Sequence, residues 1–171
     1  MTYTQAGVIM LVSTLASSIM QPLFGMFTDR YPSSWYLPFS VFLTGLGLAV
    51  SGFVNSYALL LLMIALSGLG SGIFHPEASR AAHLAAGNAK GAAQAIFQVG
   101  GNFGQAVGPL MIPLFLLATG IKGLGWFALF GMLGSLLILN IMPWYRTSLE
   151  NARLKKKSQS VGKRHILGLI G

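Results

Sequence analysis

Few residues of this chain could take part in chemistry, and their spacing limits what that chemistry could be. The 171 residues include three acidic residues, three histidines and no cysteine, which excludes thiol nucleophiles and thiolate metal sites. Asp29 lies directly beside Arg30 between two apolar runs, and the next charged residue along the chain is Glu77. The apolar runs contain neither a nucleophile–base pair nor a pair of carboxylates. The sequence therefore does not predict an enzyme.

Two short motifs resemble parts of enzyme sites. The tripeptide from His75 to Glu77 resembles the His-x-Glu of zinc deaminases, but the Pro-Cys-x-x-Cys partner cannot exist without cysteine. The segment GGNFG, from Gly100 to Gly104, resembles part of a phosphate-binding loop, but no Lys-Ser or Lys-Thr follows it. We therefore expect neither a metal site nor a cofactor.

The composition is that of an integral membrane protein. Hydrophobic residues make up 54% of the chain, charged residues only 8%, and the mean hydropathy is +0.69, whereas a soluble domain carries about 25% charged residues. The net charge of +8 could suggest nucleic acid, but six of the eleven basic residues lie between Arg153 and Arg164. No aromatic–basic stacking surface accompanies them. A lipid bilayer is therefore the expected partner, and nucleic acid is not.

Long uncharged runs predict an all-α fold, a polytopic transmembrane helix bundle. A spanning helix needs about 20 mostly apolar residues, and the alternating strands of a membrane barrel are not visible. The five predicted spans are residues 7–27, 37–54, 58–74, 91–118 and 124–142. Residues 143–165 are predicted to form a basic cytoplasmic loop, and residues 166–171 to begin a further helix.

The basic residues predict which ends of the spans face the cytoplasm. Ten of the eleven lie after the first, third or fifth span, and only Lys122 lies elsewhere. Cytoplasmic loops carry an excess of Lys and Arg, so the first set is expected inside and the start of the chain outside. All Trp and Tyr residues fall at span ends, as in an interfacial aromatic belt. An odd number of spans with an external start predicts at least one further helix upstream.

Small and polar residues form a stripe along the first predicted span. They recur every four residues, at Ser13, Ser17, Gln21, Gly25 and Asp29. Each step of four residues rotates the position by only about 40° on an α-helix, so they share one slowly winding face. Such a face allows another helix to pack closely. Either ordinary helix packing or a sliding contact between two moving halves would use it.

The fourth predicted span carries two stripes on opposite faces. Gly100, Gly104 and Gly108 form a ridge that allows backbones to touch, and Pro109 after it permits a bend. The second stripe consists of four amides: Gln94, Gln98, Asn102 and Gln105. The two stripes are offset by two residues, which is about 200° around the helix. The amides could bond only to neighbouring helices, or they could line a polar cavity or seam.

Several segments resemble the major facilitator superfamily. The segment GMFTDRYP is similar to the loop between helices 2 and 3 of that family, with the pattern G-x-x-x-D-R/K-x-G-R/K-R, and Gly25, Asp29 and Arg30 occupy matching positions. The match departs at Pro32, where Pro-Ser-Ser replaces the Gly and the further basic residues. The segment GQAVGP is similar to the gxxxGP motif of helix 5 in drug–proton antiporters. Together, TDRYPSSWYLP, GSGIFHPEASR and QAIFQVGGNFGQAVGPL resemble the fosmidomycin-resistance branch.

The resemblance implies a transporter of which this chain is a fragment. The five spans would be helices 2 to 6 of a twelve-helix protein, so helix 1 and the C-terminal half are missing. The implied activity is proton-coupled efflux by alternating access across the bacterial inner membrane. The implied substrate is a small molecule, with the antibiotic fosmidomycin as the candidate. An inactive truncation product and a non-catalytic membrane subunit are the alternatives.

The resemblance also implies a conformational role for charged residues at the cytoplasmic helix ends. Asp29 would accept hydrogen bonds from a helix of the other half, which stabilises the outward-facing state. Gly25 would allow close approach, and Arg30 would be the local counter-charge. Glu77 and Arg80, at the end of helix 4, are the candidate partners. The alternative is that these charges only mark solvated helix ends.

The resemblance further implies which glycines matter most. Helix 5 lies at the seam between the two halves in this family, so the glycine ridge is expected to pack there. Gly47, on the peripheral helix 3, is expected to tolerate leucine better than Gly104 or Gly108. No ionisable residue lies deep in any span, so a proton carrier is expected at a span end or outside this chain.

Overall fold

The computed structural model of the chain is all-helical over the residues that it describes. It covers residues 2–170 but leaves out the side chains of residue 118 and of residues 159–170. The elements are α1 (Tyr3–Arg30), α2 (Tyr36–Ser51), α3 (Tyr57–Ala85), α4 (Lys90–Thr119), a 3-10 segment (Gly120–Gly125) and α5 (Trp126–Ile170). The predicted all-α transmembrane bundle is confirmed.

Four helices of the described part are long and apolar enough to cross a membrane, namely α1, α3, α4 and α5. The remaining helix, α2, has 16 residues, which is about 24 Å at 1.5 Å per residue. The hydrocarbon core of a bilayer is about 30 Å thick. The predicted span 37–54 therefore extends past the end of α2, which is followed by a turn at Gly52 and Phe53.

Short local signals set the ends of α1. It begins at a capping box, in which Thr2 Oγ1 accepts from the Gln5 backbone N–H at 3.2 Å and Gln5 Oε1 accepts from the Thr2 backbone N–H at 2.9 Å. It ends at Arg30, where Tyr31 donates its backbone N–H to the Phe27 carbonyl at 2.9 Å. Residues 31–35 then form a short connection to α2.

Helix α3 packs between α1 and α2 at alternating glycines. A Cβ atom on Gly68 would lie 2.7 Å from the carbonyl oxygen of Ser13, and one on Gly72 would lie 2.8 Å from that of Ser17. Gly70 is two residues from each, about 200° around the helix, and a Cβ there would lie 2.7 Å from a backbone nitrogen of α2. The stripe of small residues on α1 therefore serves close packing within this chain.

Glycines of α2 allow close packing against α3 and α5. A Cβ atom on Gly47 would lie 2.7 Å from both the Met63 carbonyl oxygen and the Ser67 backbone nitrogen of α3. On the other side, a Cβ on Gly45 would lie 2.7 Å from the Cα of Gly131 on α5. Backbone atoms cannot move aside as flexible side chains can. The structure therefore argues against the expectation that Gly47 tolerates leucine better than Gly104 or Gly108.

Helix α4 packs loosely against the rest of the described bundle and has no buried residue. It contacts α3 through Gln94 near its start and α5 through Phe115 near its end. A Cβ atom on Gly100, Gly104 or Gly108 would meet nothing within 4 Å. The glycine ridge is therefore without a neighbour in the described part of the chain, and its place in a seam stays a prediction.

Helix α5 continues well beyond the predicted fifth span. Residues 143–165, expected as a loop, are helical in the structure, because Lys, Arg, Leu and Glu all favour a helix. Arg146 and Glu150 also form an i,i+4 ion pair there, with Nε–Oε1 at 3.3 Å. The cytoplasmic position of this segment stays a prediction. The further helix expected at residues 166–171 lies outside the residues described in full.

Candidate functional site

Arg80 is the centre of a charged cluster at the basic end of the bundle. Its Nη2 donates to Asp29 Oδ1 at 2.5 Å and to Thr28 Oγ1 at 3.0 Å. Its Nη1 donates to Glu77 Oε1 at 3.0 Å and to the Thr28 carbonyl at 3.2 Å. The planar guanidinium offers five donors in a fixed fork, which suits this set of acceptors. We call Thr28, Asp29, Glu77, Arg80 and Tyr145 the Arg80 cluster.

Glu77 is the buried member of the Arg80 cluster. Its side chain is 0% exposed, and its second carboxylate oxygen accepts from the Tyr145 hydroxyl at 2.8 Å. Burying a charge is costly unless it is paired and hydrogen-bonded, and here Arg80 and Tyr145 together serve both oxygens. Tyr145 belongs to α5, so the cluster joins α1, α3 and α5 at one point.

Asp29 is the exposed member of the Arg80 cluster. Its side chain is 74% exposed, against 20% for Arg80, so water screens this ion pair and it contributes little to stability. The carboxylate remains accessible from outside the bundle. It borders a cleft of about 400 Å³ that Gly25, Arg80 and Gln94 also line. The cleft opens where α1, α3 and α4 meet.

The structure brings together most of the charged residues that the sequence singles out. Asp29, Glu77 and Arg80 are in direct contact, and Glu77 lies three residues before Arg80, on the same face of α3. Gly25 faces α3, with 3.9 Å between an added Cβ and the Pro76 Cβ. Arg30 stays outside, with its guanidinium carbon 5.9 Å from the Tyr31 ring centre. The counter-charge of Asp29 is therefore Arg80 and not its neighbour.

Sequence reasoning missed two members of the Arg80 cluster. Thr28 is 0% exposed and offers both its hydroxyl and its carbonyl to Arg80. Tyr145 is 1% exposed, although its place at a span end suggested the interfacial belt. A buried Tyr hydroxyl usually has a hydrogen-bond partner, but burial at this position is not readable from the sequence.

The four amide side chains of α4 have different hydrogen-bond partners. Gln94 exchanges two hydrogen bonds with Ser79 of α3, at 2.9 and 3.1 Å. Gln98 donates to Asn102 at 3.2 Å within the same helix, and both are exposed, as is Gln105. Only the first amide therefore serves packing inside the described chain. Among the described residues, no group of three or more His, Asp and Glu side chains could hold a metal ion.

The fold and the Arg80 cluster define a polytopic helical membrane protein with its charged contacts at one end of the helices. A family model described as Major Facilitator Superfamily matches residues 1–169. This chain therefore belongs to the major facilitator superfamily, a family of membrane transporters, and is an integral membrane protein.

Two curated relatives are similar to most of the chain. It is 43% identical over 145 residues to the fosmidomycin resistance protein of Escherichia coli (strain K12), covering 85% of this chain and 36% of the relative. It is 40% identical over 159 residues to YfnC, an uncharacterized MFS-type transporter of Bacillus subtilis (strain 168), covering 93% of this chain and 39% of the relative. The chain thus spans well under half the length of these relatives. No solved structure matches it significantly.

Proposed function

We propose that this chain is part of an efflux transporter that exports a small molecule across the bacterial inner membrane by alternating access. The observation that carries the proposal is the Arg80 cluster, which ties the ends of three helices together beside an open cleft. Membership of the transporter family and the name of the Escherichia coli relative support it.

Asp29 is the residue that would act during the conformational cycle. In one state it would accept charge-assisted hydrogen bonds from a helix end that enters the cleft, while Arg80 holds its carboxylate in place. Its 74% exposure leaves it free to be reached, whereas Glu77 is sealed inside. Charge-assisted hydrogen bonds contribute about 1.5–3 kcal/mol each, which is enough to favour one state of a two-state transporter.

The exposed faces of α1 and α4 would contact the rest of the transporter. The 18-residue apolar stretches of both helices have no buried residue in this structure. The glycine ridge of α4 is open along its whole length. A helix 1 and a C-terminal half would cover these faces, and the ridge would let a backbone of the other half approach closely.

A substrate and a coupling ion complete the proposal. We propose fosmidomycin as a substrate, because the Escherichia coli relative carries its name, and protons as the coupling ion. The predicted spans contain no ionisable residue. The proton carrier and any basic group for an anionic substrate would therefore lie at span ends or in the part of the transporter beyond this chain.

The alternative is an inactive truncation product or a non-catalytic membrane subunit. The open faces of α1 and α4 favour it if nothing covers them, since they would then meet only lipid. Reading the DNA on both sides of the coding frame separates the two cases. A frame that continues into a second half supports the transporter, and a stop after residue 171 supports the alternative.

The direct test is transport by the complete gene product. Inverted membrane vesicles that contain it should accumulate fosmidomycin when an inside-acidic proton gradient is imposed, and an uncoupler should abolish this. Vesicles with the Asp29→Asn variant, at equal expression, should accumulate much less. Accumulation that ignores the gradient would contradict proton coupling, and no accumulation of fosmidomycin would contradict the substrate.

A further inference from the structure

A cavity of about 390 Å³ lies between the α1–α2 connection and the basic part of α5. Ser33 and Ser34 line it from the connection, and Arg146 and Arg153 line it from the helix. Two hydroxyl groups and two guanidinium groups are thus close to one space. Hydrogen-bond donors of these kinds are the ones that proteins use to hold phosphate groups.

A second cavity continues the same surface. It measures about 160 Å³ and shares Pro32, Leu149 and Arg153 with the first. It adds the basic residues Arg30, Arg80 and Lys156, together with Thr28 and Asp29. We call the joined surface the basic groove. Its basic and hydroxyl members are Thr28, Arg30, Ser33, Ser34, Arg80, Arg146, Arg153 and Lys156, and its acidic members are Asp29 and Glu150.

The spacing of residues on α5 holds the basic groove in place. Arg146, Leu149, Glu150 and Arg153 follow the i, i+3, i+4, i+7 spacing of a single helix face. Leu149 is buried and packs in a cluster with Tyr145. Because this residue anchors the face to the bundle, the two arginines are held on either side of it, over the α1–α2 connection.

The basic groove carries positive charge that the chain does not neutralise. The sequence has only three acidic residues. Two of them pair with Arg80, and the third, Glu150, pairs with Arg146 in an ion pair that is largely exposed and therefore weak. Arg30, Arg153 and Lys156 form no ion pair among the described residues. The groove is therefore suited to a negatively charged ligand.

The position of the basic groove indicates which anion it meets. Met142 lines it at the end of the predicted fifth span, and Trp35, 62% exposed, lines it at the start of α2. Trp residues at span ends sit at the level of the lipid headgroups. We propose that the basic groove binds the phosphodiester headgroup of an anionic phospholipid. The apolar residues beside the basic ones would contact its glycerol and upper acyl region.

The proposal rests on the membrane-spanning fold and not on efflux. Clusters of Lys and Arg beside a spanning helix attract anionic lipid by about 1 kcal/mol per residue. A free phosphate ester would share the headgroup chemistry but would lack the apolar contacts with Trp35 and Met142. A lipid is therefore the occupant that uses both halves of the groove.

The test is lipid binding by the complete gene product, purified in detergent. Native mass spectrometry would count bound phosphatidylglycerol against phosphatidylcholine across a range of lipid concentrations. Arg153→Gln should weaken phosphatidylglycerol binding about fivefold, the equivalent of about 1 kcal/mol. The matched control is Lys155→Gln, which removes the same charge two residues away, about 200° around the helix. It should leave the binding unchanged.

Two results would overturn the proposal. One is equal phosphatidylglycerol binding by Arg153→Gln and Lys155→Gln, and the other is displacement of the lipid by equimolar glycerol phosphate, which would show a soluble-anion site. If Arg153→Gln does not fold, Arg146→Gln provides the second variant, with the same loss expected and equal binding again overturning the site. Because this readout contains no transport step, failure of the efflux proposal would leave it intact.

Discussion

The hydroxyl of Tyr145 donates a hydrogen bond of 2.8 Å to Oε2 of Glu77, and both side chains are almost completely buried. The two residues are 68 positions apart in the chain. This contact fixes α5 to α3 at the end where Arg80 binds Asp29. The exposed ion pair between Asp29 and Arg80 therefore lies next to the buried hydrogen bond between Tyr145 and Glu77. Substitutions in these two contacts should differ in their effect on stability.

We expect Tyr145→Phe to destabilise the protein. The change keeps the ring but leaves one oxygen of a buried carboxylate without a donor, which costs about 1–3 kcal/mol. The thermal midpoint of the complete gene product in detergent should fall. Tyr3→Phe, at a position that is 99% exposed, is the control and should have no effect. Equal midpoints for both variants would show that the hydrogen bond contributes nothing.

We expect Arg80→Met to be far more damaging to folding than Asp29→Asn. Removing Arg80 leaves the buried Glu77 carboxylate without its counter-charge, and breaking such a pair costs about 3–5 kcal/mol. Asp29 is mostly exposed, so its loss should cost less than about 1 kcal/mol. The folded yield and the thermal midpoint of each variant measure its loss of stability.

A double variant checks the cause of that loss. Arg80→Met combined with Glu77→Leu removes the buried charge together with its partner, so it should recover part of the stability. If Arg80→Met alone is as stable as the double variant, the unpaired charge of Glu77 is not the cause of the lost stability.

For transport, Asp29→Asn should matter far more than its small effect on folding indicates. In the complete gene product, Asp29→Asn should insert normally yet lose about 1.5–3 kcal/mol of one conformational state, roughly a ten- to hundredfold shift in population. Export in vesicles should fall strongly. A cysteine on the cytoplasmic side of the cavity should become more reactive, as the inward-open form gains population. Near-normal export at equal expression would leave Asp29 as a solvated helix end.

Glycine substitutions should separate packing within this chain from packing against the rest of the transporter. Gly47→Leu should reduce folded yield, because its side chain would collide with the backbone of α3. Gly104→Leu should leave this chain's own packing intact and impair export by the complete gene product. Gly7→Leu, which would also meet nothing within 4 Å, is the matched control. A Gly104→Leu protein that exports normally would argue against a seam at this ridge.

The cysteine-free sequence makes the predicted orientation easy to test. Lys155→Cys should be labelled by an impermeant thiol reagent only after cells are opened, whereas Lys122→Cys should be labelled in intact cells. The reason is the ten-to-one distribution of basic residues between the two sides. Arg80 is a poor labelling site, because its removal disturbs the Arg80 cluster. The opposite labelling pattern would invert the topology.

The sequence by itself determined the class of this protein. Long uncharged runs, a shortage of charge and basic residues on alternate connections are local properties, and a bilayer selects on them directly. The motif around Asp29 and the glycine ridge of α4 also identified the family without any knowledge of packing. Polarity alone does not predict that α5 continues beyond Pro143, because a polar segment rich in Lys, Arg and Glu forms a helix as readily as a loop.

Only the tertiary structure decided which residues meet. Asp29 pairs with Arg80, 51 positions away, while its sequence neighbour Arg30 stays outside the cluster. Gly47 and Gly104 are both glycines in apolar helices. Gly47 packs against the backbone of α3, whereas Gly104 has no neighbour within 4 Å of an added Cβ. The reason is physical: hydropathy acts on each segment separately, whereas burial and pairing depend on which helix lies against which face, and that arises only when the helices pack together.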